Sequence, residues 1–363
     1  MTVILFILVL LALIVVHELG HFIVAKLSGM RVDEFGIGYP PRIVAFKRGG
    51  TEYSLNWLPF GGFVRIYGED ANTATGHDAF GSRPKILQAL TLVAGIAMNL
   101  LFAYVLITLA LGFGTQRALS DQEARTAPDA VLAVAEVLPG SPAAQAGIMP
   151  GDLIRAVDAP GTSFTGGNST AFTTLVAKDT DLAPLTFHLE RNFKPLTLTA
   201  TPKSDIIPSQ PWRIGLGISI SPVGTASVPW LQAPIQGAAF TWDLTKQTAV
   251  GLAKFFGSLA TFSANLSEVS GPIGIATAVG GAATQGITSL LTITALISIN
   301  LALINIIPVP ALDGGRLLFV IIEAITRRPI TARVSQTVNA VGFALLILLM
   351  VVVSAHDIFK LFA

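Results

Sequence analysis

The chain contains no cysteine among its 363 residues, and charged side chains make up only 12% of it. The absence of cysteine excludes disulfide bridges, thiolate metal sites and a cysteine nucleophile. The net charge of +1 and the lack of a lysine and arginine cluster argue against a nucleic-acid surface. Soluble domains carry about 25% charged residues, so this low share, together with 52% hydrophobic residues, predicts a membrane protein.

Long hydrophobic stretches recur along the chain. A helix of about 20 apolar residues spans the roughly 30 Å hydrocarbon core of a bilayer. We therefore predict a membrane α-helical fold with four transmembrane helices, at residues 3–25, 86–116, 288–307 and 334–355.

The basic residues predict the orientation of these spans. Residues 26–85 carry eight lysines and arginines, and residues 308–333 carry four. Basic loops stay on the cytoplasmic side of a membrane. We therefore expect these two segments in the cytoplasm, and both termini and the long 114–287 segment outside.

Two regions outside the spans have strand patterns. Within residues 1–112, the segment 33–66 contains four short strand-like stretches separated by Pro40-Pro41, Gly49-Gly50 and Gly61-Gly62. This pattern is typical of successive hairpins and predicts a small membrane-associated β-sheet beside the first span.

The second region resembles a bacterial PDZ domain. In residues 131–159 a strand, a Gly-Ser-Pro turn, a short helix and a Gly-Asp turn follow one another. We predict an extracytoplasmic PDZ-like α+β domain at 129–203, which would bind an extended peptide by strand addition. "GLGI" at 215–218 is interpreted as a strand beyond this domain, within a connector at 204–287 that leads to the last region, 288–363.

The first span contains the element His17-Glu18-Leu19-Gly20-His21. Histidines four residues apart project from one face of a helix and can bind one metal ion, while the glutamate can reach a metal-bound water. Ionisable groups inside a membrane cost several kcal/mol unless they are paired or coordinated. The element therefore predicts a zinc hydrolase site rather than a chance pattern.

Catalytic zinc usually has three protein ligands. The remaining histidines, His77, His188 and His356, lie in a polar loop, in the PDZ-like segment and at the opposite membrane side. Asp313 directly follows the third span on the predicted side of His17 and His21, and is the expected third ligand. The alternative for Asp313 is an Asp-Gly turn that caps the next helix.

These motifs together resemble the site-2 protease family of intramembrane zinc metalloproteases, and within it the bacterial regulators of sigma-E protease with a single PDZ domain. The resemblance covers nearly the whole chain. It includes the His-Glu-x-x-His element, "NIIPVPALDG" at 305–314, "GGFVRIYGED" at 61–70 and "VSGPIGIA" at 269–276. The second span keeps Gly95 and Asn99 of the family pattern Gly-Pro-x-x-Asn, but has Ile96 where proline is usual.

The resemblance implies that His17, His21 and Asp313 bind zinc and that Glu18 is the general base. It places Asn305, Pro308 and Pro310 along the substrate path. We further expect Gly62 and Phe63 to contact the substrate through their strand, and Asn99 or Asn305 to donate a hydrogen bond to the oxyanion.

The implied function is cleavage of single-pass transmembrane proteins, such as anti-sigma factors or remnant signal peptides. The implied location is the bacterial cytoplasmic (inner) membrane, as a multi-pass protein in contact with the lipid bilayer. The active site then faces the cytoplasmic side, and a peptide ligand would bind the PDZ-like domain outside.

Two other functions remain as alternatives. Some zinc transporters place a His-Glu-x-x-His element in a transmembrane helix, but a transporter would need more spans and more intramembrane ligands. An inactive membrane-tethered PDZ scaffold would leave the buried ionisable cluster unexplained.

Overall fold

The computed structural model describes residues 2–69, 76–127, 129–178, 183–191, 194–204, 214–261 and 271–362. Of the motif residues quoted above, Asp70, Val269 and Ser270 lie outside this part of the chain. The fold divides into two compact units. Residues 1–110 and 230–363 form the first unit, and residues 111–229 form the second.

The first unit is mainly helical. Its helices are α1 (Thr2–Leu27), α2 (Lys85–Phe113), α6 (Ala233–Ala260), α7 (Pro272–Gln285), α8 (Ile287–Ile306), α9 (Asp313–Thr326) and α10 (Ala332–Phe362). Among the described residues, α1, α2, α8 and α10 are the four helices that are long and apolar enough to cross a membrane. The four predicted spans are thus confirmed as apolar helices, and the chain is a membrane protein.

Helix α6 has no counterpart in the predicted connector. The face of α6 that packs against α2 carries small residues. A β-carbon on Gly237 would overlap the Thr108 side chain, and Thr241 is buried. Its other side exposes large apolar residues such as Ile235 and Trp242. The polar residues between them keep α6 below the hydropathy of a spanning helix, so a search for uncharged runs does not find it.

The segment after α1 forms a curled antiparallel sheet from two long strands, β1 (Val32–Arg48) and β2 (Thr51–Ile66), joined at Gly49-Gly50. Residues 34–37 of β1 pair with residues 62–65 of β2 on one side and with residues 52–55 on the other. The prediction of four separate strands is wrong, because Pro40-Pro41 and Gly61-Gly62 bend the strands without ending them.

A buried carboxylate joins the layers of this sheet. Glu34 is 5% exposed, accepts a hydrogen bond from Ser54 Oγ at 2.6 Å, and forms ion pairs with Arg42 and Arg65 at 3.1 and 3.2 Å. A buried carboxylate needs such partners to offset its desolvation. The contacts fasten residues 62–66, which lie at one edge of the described sheet, to its centre.

The second unit is an α+β fold built around a seven-stranded sheet. Its strands are β3 (Thr115–Ala118), β4 (Val131–Val137), β5 (Leu153–Ala159), β6 (Thr162–Thr165), β7 (Leu185–Arg191), β8 (Lys194–Ala200) and β9 (Ile218–Ala226). Its helices are α3 (Asp121–Thr126), α4 (Pro142–Gln145) and α5 (Ser169–Lys178). The strands run in the order β3-β9-β4-β5-β7-β8, and β6 pairs with β5.

The predicted limits of 129–203 are too narrow for this unit. Strand β9 lies between β3 and β4 in the sheet, and Leu216 belongs to the same buried core as Leu132 and Phe187. "GLGI" therefore leads into a central strand of the unit. The interpretation of these four residues as a strand beyond the domain is wrong.

A buried ion pair fixes the turn before β5. Arg191 donates to both carboxylate oxygens of Asp152, at 2.6 and 2.7 Å, and the Met149 amide donates to the same group at 2.9 Å. Burial alone raises the pKa of a carboxyl, but these hydrogen bonds outweigh it and hold the pKa of Asp152 below its ordinary value.

Candidate metal centre

Helix α1 carries both histidines of the predicted site on one face. The Nε2 atoms of His17 and His21 lie 3.1 Å apart, and both side chains are buried. One helical turn separates them, which is the spacing that brings i and i+4 side chains together. Their rings meet edge to face at 81°, and the short distance between the two nitrogens allows both to bind one metal ion.

Asp313, the first residue of α9, joins the histidines from a distant part of the chain. Its Oδ2 lies 2.9 Å from Nε2 of His17 and 3.3 Å from Nε2 of His21. A tight turn returns the chain after α8: a β-carbon on Gly314 would overlap the carbonyls of residues 306 and 307, and one on Gly315 would overlap that of residue 309. The carboxylate of Asp313 faces the histidines, and α9 begins without a side-chain cap.

The donor set fits zinc. One ligand atom from each of His17, His21 and Asp313 lies within 4.8 Å of the others. Two imidazoles and one carboxylate are a usual set for catalytic zinc, which keeps a fourth position for water. The Nδ1 of His21 lies 2.8 Å from the carbonyl oxygen of Thr91. Because a carbonyl only accepts, Nδ1 carries the hydrogen and the Nε2 lone pair is left for the metal.

The other histidines lie away from this cluster. His77 is exposed, and His188 pairs with Asp158 on the surface at 2.9 Å. His356 lies in α10, and its Nε2 has no hydrogen-bond partner within the described part of the chain.

Two glycines let α1 and α2 approach at the site, and sequence reasoning assigned neither of them a role. A β-carbon on Gly95 would overlap Nε2 of His21, and one on Gly20 would overlap the carbonyl of Ala94. The signal available in the sequence was a glycine in each of two apolar spans, which alone does not indicate that the two face each other.

Glu18 lies beside the edge of the sheet. It is half-buried, and a β-carbon on Gly62 would lie 3.6 Å from its Cγ and 3.5 Å from the Ile14 side chain. The adjoining Phe63 stacks on Tyr39, with ring centroids 6.1 Å apart. The two predicted substrate-contact residues, Gly62 and Phe63, therefore lie on an edge strand next to the predicted base.

The other predicted substrate residues divide into two groups. Asn305 is half-buried with its Nδ2 3.4 Å from Nε2 of His17, and Pro308 is exposed in the turn after α8. Pro310 packs against Gly342 of α10. Asn99, in contrast, is fully buried, and its Nδ2 lies 3.2 Å from Nδ1 of His17.

Comparison with known proteins finds relatives that are named as proteases. A putative zinc metalloprotease of Clostridium perfringens is 36% identical to this chain over 348 residues, covering 96% of this chain and 95% of that protein. The regulator of sigma-W protease RasP of Bacillus subtilis is 29% identical over 443 residues, covering 99% of each. The chloroplastic membrane metalloprotease ARASP of Arabidopsis thaliana is 32% identical, covering 94% of this chain and 75% of that protein.

The model of one protein family covers almost all of the chain. The family described as Peptidase family M50 matches residues 5–349, a range that contains His17, His21 and Asp313 and ends within α10. The relatives are named as metalloproteases, which supports a peptidase rather than a transporter. The chain therefore belongs to peptidase family M50, whose members are zinc-dependent proteases.

Proposed function

We propose that the protein is an intramembrane zinc endopeptidase of the site-2 type that cleaves single-pass transmembrane proteins. The observation that carries this proposal is the position of the metal centre. His17 and His21 lie well inside a helix of 26 residues that is apolar enough to cross a membrane. A hydrolytic centre at that depth is suited to a peptide bond that lies within the membrane.

Zinc, when bound, supplies Lewis acidity to a water and to the scissile carbonyl. Glu18 accepts a proton from the attacking water and returns it to the nitrogen of the leaving amine. Asn305 is the amide side chain placed to donate a hydrogen bond to the developing oxyanion, because its Nδ2 is near His17 Nε2 and its side chain is only half-buried.

A helical substrate must unwind before it is cut, because each carbonyl in a helix is bound to an amide four residues along. The freed backbone groups need new partners at membrane depth, where each unsatisfied group costs several kcal/mol. The edge strand at residues 62–66 supports strand addition next to Glu18, since Gly62 adjoins the base. Gly62 and Phe63 then contact the unwound substrate.

The substrate class follows from the same argument. The Bacillus subtilis relative is named a regulator of sigma-W protease. This name supports membrane-anchored anti-sigma factors as substrates of the present protein, and remnant signal peptides have the same single-pass chemistry. We place the enzyme in a bacterial cytoplasmic membrane, with the metal centre toward the cytoplasm and the second unit outside.

The proposal is tested by comparing membranes that contain wild-type enzyme with membranes that contain Glu18→Gln. Mass spectrometry of single-pass proteins should find a small set whose membrane-embedded cleavage products occur only with the wild type. If both membranes give the same products, the proposed activity is wrong.

The second unit supports a peptide-binding role of the PDZ type. A cavity of about 310 Å³ lies between α5 and the start of β9, and apolar side chains such as Phe172, Val176 and Leu216 line it. The carbonyls of residues 215, 216 and 217 accept hydrogen bonds from Lys203, Ala143 and Leu138. The amides of Leu216 and Gly217 have no backbone partner in the described part of the chain, and are available to a terminal carboxylate.

Peptides that end in a free apolar residue test this role. We expect fluorescence anisotropy to detect binding of such peptides to the full-length protein, and weaker binding of the same peptides with an amidated end. Equal binding of both forms would contradict a carboxylate cradle at residues 215–217.

A further inference from the structure

Asn99 is a fully buried polar residue of α2 whose side chain lies beside the metal centre. It is 0% exposed, and its Nδ2 lies 3.2 Å from Nδ1 of His17. Its Oδ1 is buried and has no hydrogen-bond partner among the described residues. A buried acceptor without a partner costs about 1–3 kcal/mol, so this arrangement calls for a physical reason.

Metal binding by His17 decides which atom of this amide faces Nδ1. A neutral imidazole that gives the Nε2 lone pair to a metal carries its hydrogen on Nδ1, and this hydrogen needs an acceptor. An amide nitrogen cannot accept it, whereas an amide oxygen can. The oxygen and nitrogen of an asparagine amide are distinguished by their hydrogen bonds and are interchanged by a half turn of the group.

We propose that Asn99 is a positioning residue for His17, and that its Oδ1 accepts the Nδ1 hydrogen of His17 when zinc is bound. The half turn pairs Oδ1 with the Nδ1 hydrogen, because Oδ1 then takes the place 3.2 Å from Nδ1, and the amide nitrogen moves to the buried place that Oδ1 leaves. The inference rests on zinc binding by His17 and does not depend on the proposed proteolysis.

The placement of Asn99 on α2 supports this assignment. Thr91, Gly95 and Asn99 are spaced by four residues along α2, and so follow one face. Thr91 provides the carbonyl that binds Nδ1 of His21, and Gly95 leaves room for both imidazoles. This face of α2 thus holds each histidine by its Nδ1, with a backbone oxygen for His21 and a side-chain oxygen for His17.

A contact from α8 fixes Asn99 in place. The buried Ser298 donates from Oγ to the main-chain carbonyl of Asn99 at 2.8 Å. This holds the backbone of Asn99 while its side chain faces His17. Because Asn99 is fully buried against His17, this assignment replaces the expected role of Asn99 as a donor to the oxyanion of a substrate.

Two substitutions separate an acceptor from a donor at this position. Asn99→Asp keeps an oxygen near Nδ1 and removes the amide donor, and Asn99→Leu has a similar size without either. The measurement is the zinc affinity of the full-length detergent-solubilised protein in competition with a chelator. We expect Asn99→Asp to bind zinc about as well as the wild type, and Asn99→Leu to bind it about 10–100-fold more weakly.

A second readout follows the geometry of the site without activity. With Co²⁺ in place of zinc, the visible absorption bands should be the same for Asn99→Asp and the wild type and should change for Asn99→Leu. Asn300→Leu is the matched control on α8: its Nδ2 is bound to the Leu296 carbonyl at 3.1 Å, so zinc affinity should not change.

Two results would overturn the assignment. Loss of zinc from Asn99→Asp would show that the amide donor, and not the oxygen, matters, and this variant decides the question even if Asn99→Leu does not fold. Wild-type affinity in Asn99→Leu would show that His17 needs no acceptor there. Failure of the proposed protease activity would appear separately, as normal zinc binding without cleavage.

Discussion

The metal centre depends on side chains that 296 residues of sequence separate. His17 and His21 are fixed by one helical turn, whereas Asp313 reaches them only because the chain turns back after α8 and its carboxylate lies 2.9 Å from His17 Nε2. Each ligand is buried or half-buried, so a ligand that is removed is not readily replaced by bulk water.

Removing any one of the three ligands should therefore weaken zinc binding. We expect about one zinc per purified wild-type chain, and a clearly lower content in His17→Ala, His21→Ala and Asp313→Ala, as measured by elemental analysis. His188→Ala is the matched control, because His188 also pairs with an aspartate at 2.9 Å but on the surface. Full zinc content in Asp313→Ala would disprove the third ligand.

Gly95 is a second single residue that tests the metal centre. A β-carbon there would overlap Nε2 of His21, so Gly95→Ala should lose zinc and activity even though alanine favours helices. Gly251→Ala in α6, which meets no atom within 4 Å, should keep both and gain up to about 1 kcal/mol of stability. If Gly95→Ala bound zinc normally, the close approach of α2 would not be essential to the site.

The sequence predicted the three side chains that the structure brings together, His17, His21 and Asp313, but not the residues that support them. Three ionisable groups within five residues of an apolar span point to a metal even without a structure. The role of Gly95 and the partner of Asn99 depend on which faces of α1 and α2 meet, and uniformly apolar helices carry little periodicity from which that could be read.

Among the elements, the curled sheet is the one that the proposed mechanism uses most. Its edge at residues 62–66 adjoins Glu18 through Gly62, and Glu34 holds that edge through Arg65. The opposite edge, at residues 42–48, pairs with residues 51–56.

Prolines at the edge near Glu18 should slow cleavage without releasing zinc, because proline removes an amide that strand addition needs. Val64→Pro and Arg65→Pro sample both amide directions, and Val44→Pro on the opposite edge is the control. The rates are compared for a Leu-rich substrate helix and for the same helix with an Asn-Pro pair. The wild type should cleave the helix with the Asn-Pro pair faster. Of the two edge variants, the one whose proline removes an amide that points out of the sheet should cleave both substrates more slowly than the wild type.

Wild-type rates in both edge variants, or equal rates for the two substrates in the wild type, would argue against strand addition. Neither outcome would affect the metal centre, since zinc content is measured in the same samples.

The elements were predicted to different extents. The four spans were found within a few residues of their ends, except for the longer α10, because length and hydropathy alone identify them. Helix α6 was missed because Asp243, Lys246 and Lys254 interrupt its apolar sequence. Strand ends were misplaced at Pro40-Pro41 because proline can bend an edge strand as well as end it.

At the scale of the whole molecule, the orientation in the membrane decides where products are released. The chain has no cysteine, so single introduced cysteines report their own side of the membrane. Arg48→Cys and Thr326→Cys, both at exposed positions, should react only with reagents that reach the cytoplasm. Ser163→Cys, exposed in β6, should react with impermeant reagents added outside. The reverse pattern would invert the proposed topology.

The central claim is that Glu18 performs proton transfer at a zinc site that does not need Glu18 in order to form. Its most direct test measures zinc content and cleavage of one single-pass substrate on the same preparations of wild type and Glu18→Gln. We expect equal zinc content and a loss of cleavage of about 10²–10⁴-fold in the variant. Cleavage by Glu18→Gln at the wild-type rate, with zinc bound, would contradict the account.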